Sequence, residues 1–340
     1  MAPSAGRELD SFQFRSLHPL VFLGTASDRY AGWLGQIYTR ERYQGRIKRR
    51  RTVVAGQSLV QEVLPLDSVA EYFEHFRTLE LDFTFYRLLL EEDGTPTANY
   101  GLLQTYSKYL GEDDTLILKV PQVIFAQKLW RGGSFVDNEL YLNPEVFTRQ
   151  FFEPAVEILG SHVQSFIFEQ EYQRKKDRLD VHTLSEQLDK FFRRIPADDR
   201  YHIELRTESY LASPVFRLLE KYGIGQVFSH WTWLPPLRAQ FARAGRKFTS
   251  AAAQCIVRLM TPRGIRYDEA YARAHPFNRL VEEMLDQRMI DDTVALMVTA
   301  IKKGVRINVI INNRAGGNAP LIARQLAARF MEKVAGNRHG

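Results

Sequence analysis

Short apolar runs rich in β-branched and aromatic residues recur along the chain, and each is followed by a longer stretch with helical spacing. The runs are LVFLGT (20–25), LELDFTF (79–85), LILKV (116–120), QSFIFE (164–169), HIELR (202–206), GQVFSH (225–230), CIVRL (255–259) and INVII (307–311). They predict eight strands. Between them, DSVAEYFEHFRT sets Val69, Phe73 and Phe76 on one stripe, and TLSEQLDKFFRRI sets Leu184, Leu188, Phe191 and Phe192 on another. Asp67 and Thr183 read as N-caps, and the helix in SPVFRLLEKYGIG is expected to end on Gly223. The stretch 267–304 has room for more than one helix. Connections of this length are not hairpins, so the strands are expected to run parallel with right-handed crossovers. Closure into a single (β/α)8 TIM barrel is the economical solution.

Two stretches exceed what a barrel needs. Residues 40–66 follow the loop of the first strand, and 128–144 (KLWRGGSFVDNELYLNP) follow the third. Both come after strand C-termini, so they are expected as insertions on the C-terminal face, either lids or variable loops. The barrel domain is expected over 19–334, with terminal tails at 1–18 and 335–340.

Composition leaves this picture intact: 45% hydrophobic and 25% charged residues are ordinary for a globular chain and exclude wholesale disorder. Lys and Arg exceed Asp and Glu by 46 to 40, a mild excess that permits an anionic partner without demanding one. Part of it sits in RIKRRR (46–51), read first as a solvated loop. The single cysteine, Cys255, lies in an apolar run, so no internal disulfide forms and a reducing compartment is expected. With neither a signal peptide nor a membrane span legible, the expectation is a soluble, cytoplasmic protein.

In such barrels chemistry gathers at the C-terminal ends of the strands. The first strand runs into GTASDRYAGWLGQIY, where Trp33 is a candidate wall of the mouth. The second carries Glu80, Asp82, Thr84 and Tyr86 in alternation, which in a strand places all four on one face. Lys119, Glu169, Glu204 and Arg206 come from the third, fourth and fifth strands, His230 ends the sixth, Arg258 lies in the seventh, and Asn312 and Asn313 follow the eighth. A charge inside a barrel is costly unless paired, so Lys119 and Arg206 are expected to meet carboxylates there. A structural ion-pair network is the bland counterpart of a catalytic site.

These same residues carry a family resemblance. LGTASDRYAGWLGQIY, LELDFTFYR (79–87), LILKVP, IELR and VIINNRAGGNAP resemble the motifs of the YecE-like family, a domain of unknown function numbered seventy-two, over about residues 20–330. The resemblance implies a single (β/α)8 barrel with a polar pocket, and supplies no reaction. It matches Glu80, Thr84, Tyr86, Lys119, Glu204, Arg206, Arg258, Asn312 and Asn313 to the family's recurrent polar positions. Asp82 stands where Asn is usual, Glu169 in EQEYQ where Gln is usual, and Met260 where His is usual, which marks a divergent member.

Metal-dependent barrels need several His at the mouth, and only His230 ends a strand here. No metal or cofactor is therefore expected, a single Mg2+ or Mn2+ on oxygen ligands being the alternative. The seventh strand offers Arg258 where a retaining glycosidase sets its second carboxylate. RAGGN offers backbone N–H groups to an anion at a strand-to-helix turn. The leading expectation is an enzyme, a hydrolase, lyase or isomerase, acting on an anionic or sugar-like small molecule. Lys119, Arg206 and Arg258 hold the ligand, Glu204 or Glu169 serves as acid or base, and Tyr86 and Asn312 orient the substrate. The rival expectation is a nucleic-acid-binding or nuclease-like protein using the basic 46–51 loop.

Overall fold

A computed structural model describes residues 12–336 of the 340-residue chain. Its strands, in chain order, are β1 (Val21–Ala26), β2 (Lys48–Val54), β3 (Gln57–Val63), β4 (Thr78–Leu81), β5 (Thr115–Lys119), β6 (Lys128–Arg131), β7 (Ser134–Asp137), β8 (Val163–Gln170), β9 (Tyr201–Leu205), β10 (Gly225–His230), β11 (Gln254–Leu259) and β12 (Arg306–Ile311). The eight expected runs supply β1, β4, β5 and β8 to β12, and these close into a barrel in the order β1-β12-β11-β10-β9-β8-β5-β4. β5 with β8, β8 with β9, β9 with β10, and β12 with β1 pair in parallel. The fold is a (β/α)8 barrel. Among the described residues no helix is long and apolar enough to cross a membrane.

The remaining strands form two antiparallel hairpins, β2 with β3 and β6 with β7, inside the two expected insertions. Each turns on a two-residue loop with both residues at positive φ, Ala55-Gly56 (50° and 76°) and Gly132-Gly133 (56° and 87°). That backbone matches the right-handed twist of the flanking strands. RIKRRR is thus not a loop: Lys48 to Arg51 open β2, where Arg49 pairs with Glu62 across the hairpin at 2.8 Å, while Arg46 holds Asp67 through both carboxylate oxygens.

Other local expectations need correction. The second strand stops at Leu81, and Asp82–Phe85 winds into a 3-10 turn. The first cap fails because Asp67 is engaged by Arg46, and the helix Val69–His75 grows out of a 3-10 turn at Leu66–Ser68. The second shifts back three residues: Asp180 accepts from the N–H groups of His182 and Thr183, and the helix runs Val181–Phe192. Gly223 does close its helix in the left-handed conformation, at φ 64°. The long stretch after residue 267 holds two helices, Tyr267–Ala274 and Gln287–Lys302. The expected tails fall largely outside the described residues, and Phe14, in the first of them, is buried against Phe76 at 4.9 Å.

By packing, the chain divides into two compact units. One takes the chain up to Leu79, Phe228–Ala239 and the chain from Ile256; the other takes Glu80–Val227 and Gln240–Cys255. In the first, β1 meets β4 so closely that a Cβ on Gly24 would lie 2.2 Å from the carbonyl oxygen of Thr78. In the second, strand alternation sorts the side chains. Phe166 and Phe168 of β8 and Tyr201 of β9 pack with Phe147, Phe152, Phe191 and Phe192 of the helices through edge-on and tilted ring contacts. This aromatic layer fixes the register, so Glu169 and Glu204, directly opposite each other, project from the other face of the sheet.

Candidate functional site

Two carboxylates at adjacent positions of paired strands repel unless a cation is shared between them. Arg206, just past the end of β9, is that cation: one guanidinium nitrogen lies 2.6 Å from Glu169 Oε1 and another 3.2 Å from Glu204 Oε2. The other oxygen of Glu169 is 2.7 Å from Lys119 Nζ, which also stands 3.8 Å from Asp82 Oδ1 and 3.9 Å over the ring of Phe85. The expected meeting of Lys119 and Arg206 with Glu169 and Glu204 is therefore found, within one compact unit. Side-chain exposures of 4% for Glu169, 8% for Lys119 and 12% for Arg206 make it a water-poor network in which each charge depends on its partner.

The second strand's four candidates do not share a face. Glu80 is buried in β4. Thr84 is also buried, and its hydroxyl donates to the carbonyl of Lys119 at 2.8 Å and accepts from the Lys119 N–H at 3.1 Å. That bond ties the 3-10 turn to the end of β5, so Thr84 holds the backbone that carries Lys119. Tyr86 is 67% exposed, its ring edge-on to Phe85, because the turn breaks the two-residue period.

One residue absent from the candidates belongs with them. Glu171 follows Glu169 by two positions, is half-buried, and lines a cavity of about 450 Å³ together with Gln127, Lys128, Phe135, Tyr172, Arg174 and Lys176. Among the described residues it has no ion-pair partner. Burial first, and the charge of Glu169 second, push its carboxyl up to about 7, against the opposing pull of Arg206 and Lys119. Alternation in EQEYQ suggests the side of Glu169 for this residue, but does not mark it as an unpaired acid beside a cavity. The cavity wall is braced from behind: Tyr210 donates to Gln173 Oε1 and Gln173 Nε2 to Gln127 Oε1, both at 2.5 Å, while Lys128 Nζ stands 3.3 Å from Asp177. Lys128 and Phe135 both line the cavity, and strand alternation sets Trp130 on their face of the β6–β7 hairpin, its ring 4.9 Å from that of Phe135.

Trp33, His230, Arg258, Asn312 and Asn313 belong to the other compact unit. Trp33 does not wall a mouth. It is fully buried, and its indole N–H donates to Asn313 Oδ1 at 3.1 Å, an oxygen that also accepts from the N–H of Ala319 at 2.8 Å. Asn312 is likewise engaged with the backbone, its Oδ1 accepting from the N–H of Arg314 and its own N–H donating to Leu259. Within RAGGN the N–H groups of Arg314, Ala315, Gly316 and Gly317 are consumed internally, the last two both donating to the carbonyl of Asn313, so they offer no open anion cradle. Arg258 is completely buried in β11. His230 is buried at the end of β10, its Nε2 4.0 Å from Asp286 Oδ2, and burial lowers its pKa to about 4 with Arg263 adding to the effect and Asp286 opposing it. Among the described residues no group of three or more His, Cys, Asp or Glu is arranged to hold a metal ion.

A family model described as "Protein of unknown function DUF72" matches residues 58–339. The chain belongs to the DUF72 family. Two solved DUF72 proteins resemble it in fold: one from Enterococcus faecalis V583, at 17% identity and TM-score 0.54 over 91% of this chain and 95% of that one, and one from Thermotoga maritima MSB8, at 18% identity and TM-score 0.52 over 92% and 99%. No curated protein matches the chain. Membership in DUF72 accounts for the barrel and leaves the chemistry to the side chains.

Proposed function

We propose that this DUF72 protein is an enzyme that transfers a proton to or from a small polyhydroxylated or anionic substrate in the cavity beside β8, with Glu171 as the acid or base. The observation that carries the reading is the contrast between two neighbouring glutamates. Both oxygens of Glu169 are held by cations, and a carboxylate bridged in this way is a poor proton carrier. Glu171 fronts the cavity unpaired, with its carboxyl poised near neutrality. Environments that separate the behaviour of two adjacent carboxyls are how a site runs acid/base chemistry at neutral pH. Glu204, fully buried and against Arg206, fits a positioning role better than proton transfer.

Within the pair network Lys119 and Arg206 face Asp82, Glu169 and Glu204, so their charge is already balanced. The cavity itself is lined by Gln127 and Gln173 beside Lys128, Arg174 and Lys176, groups suited to the hydroxyls or the anionic group of such a ligand. The rings of Phe135 and Tyr172 suit the apolar face of such a ligand. The test is consumption of a panel of sugars, sugar acids and phosphate esters, followed by NMR, with wild type and Glu171→Gln. Turnover by wild type and a loss of roughly 100-fold or more in the variant support the reading. Equal turnover by both sinks it.

A further inference from the structure

Arg314 lies in the 3-10 turn Asn313–Ala315 that follows β12, and is only 8% exposed. Its guanidinium stacks on the ring of Tyr267 at 3.7 Å, and its Nε–H is buried with no hydrogen-bond partner. Among the described residues no carboxylate pairs with it. The acids beside Tyr267 are spoken for, Asp268 lying 3.5 Å from Arg266 and Glu269 pairing with Arg273. Asp286 caps its own helix through the N–H of Arg288 and faces His230. Arg314 is thus a nearly buried cation in a site that supplies a ring face and no counter-charge.

Burying a lone charge is costly, and a single ring face offsets only part of that cost. The deficit is removed when an oxyanion meets the edge of the guanidinium, whose planar fork matches phosphate in a two-point contact while the ring holds its plane. The position agrees with this: in (β/α)8 barrels the loops after the last two strands commonly bind phosphate groups. We infer that Arg314, stacked on Tyr267, is the anchor of a phosphate-binding site on the loop after β12. This goes beyond the proton-transfer reading and stands without it, since it involves none of the residues around Glu171.

The turn is built to hold that anchor. The backbone N–H of Arg314 is fixed by Asn312 Oδ1 at 3.0 Å, and Asn313 is fixed by Trp33 and Ala319. The helix carrying Tyr267 is in turn braced by the β2–β3 hairpin, through Gln61 to Tyr271 at 2.6 Å and His275 to the carbonyl of Val60 at 3.0 Å.

The test uses the full chain and inorganic phosphate in a buffer free of other oxyanions. Thermal unfolding of wild type should shift upward as phosphate is added, because a ligand that binds only the folded state stabilises it. Arg314→Met, which keeps the bulk over Tyr267, should lose phosphate affinity by roughly 10- to 100-fold. An equal upward shift in the variant, or none in wild type at millimolar phosphate, overturns the assignment. A second measurement needs no variant: the Nε–H resonance of Arg314 in 15N-labelled wild type should move on phosphate addition, and a stationary resonance overturns it equally.

Discussion

Glu169 and Glu171 stand two residues apart, and only the first is tied to cations: its oxygens lie 2.7 Å from Lys119 Nζ and 2.6 Å from Arg206, whereas Glu171 faces a cavity of about 450 Å³. Lys119 and Arg206 each hold one oxygen of Glu169, and neither forms an ion pair with Glu171. The latter is left half-buried next to a negative neighbour, which is the arrangement that favours a neutral carboxyl.

That contrast has a thermodynamic consequence. The carboxyl of Glu171 is raised from 4.5 to about 7, so the folded state retains its proton where the unfolded state has lost it. Stability on this account falls as pH rises from about 4.5 to 7 and is not regained above it. Glu171→Gln removes the penalty. It should therefore stabilise the fold at pH 8 by on the order of 1–3 kcal/mol and leave it unchanged at pH 4. Urea unfolding at the two pH values checks this.

The opposite slope belongs to His230. Its pKa is lowered to about 4 by burial, so the unfolded chain takes up a proton that the folded one refuses. Its contribution is complete above about 6.5 and is lost as pH falls towards 4. His230→Asn should flatten the wild-type decline in unfolding free energy between pH 6.5 and 4.5. A decline of unchanged steepness would remove His230 as its source.

Breaking the network from the middle should be severe. Glu169→Ala takes from Lys119 its 2.7 Å partner and from Arg206 its 2.6 Å partner in a water-poor site, and a loss of about 3–5 kcal/mol is expected. Thr84→Val, which removes only the hydroxyl that ties the 3-10 turn to Lys119, should cost about 1–3 kcal/mol. Chemical denaturation of both variants ranks them.

Most of the barrel was legible because each strand is a short β-branched run bounded by helical periodicity, and those runs became β1, β4, β5 and β8 to β12. The failures come from interactions between residues far apart in the chain. Asp82 to Tyr86 read as strand, since alternation cannot reveal that the Thr84 hydroxyl bonds the backbone of β5 and winds the segment into a turn. Trp33 looked like a ligand wall until its indole N–H found Asn313, 280 positions away. RIKRRR read as a loop on charge alone, although TVV before Ala55-Gly56 already carried the signature of a strand entering a tight turn. The pairing of Lys119 and Arg206 with Glu169 and Glu204 followed correctly from the cost of lone buried charge. Glu171 was missed because a half-buried, unpaired acid is set apart only by a cavity, which no local pattern encodes.

The most direct measurement is the protonation of Glu171 itself, by 13C NMR of side-chain carboxyls across pH 3 to 9 in wild type and Glu171→Gln. The account predicts one carboxyl signal that titrates near 7 in wild type and is missing from the variant. A Glu171 signal titrating near the ordinary value of about 4.3 would contradict it.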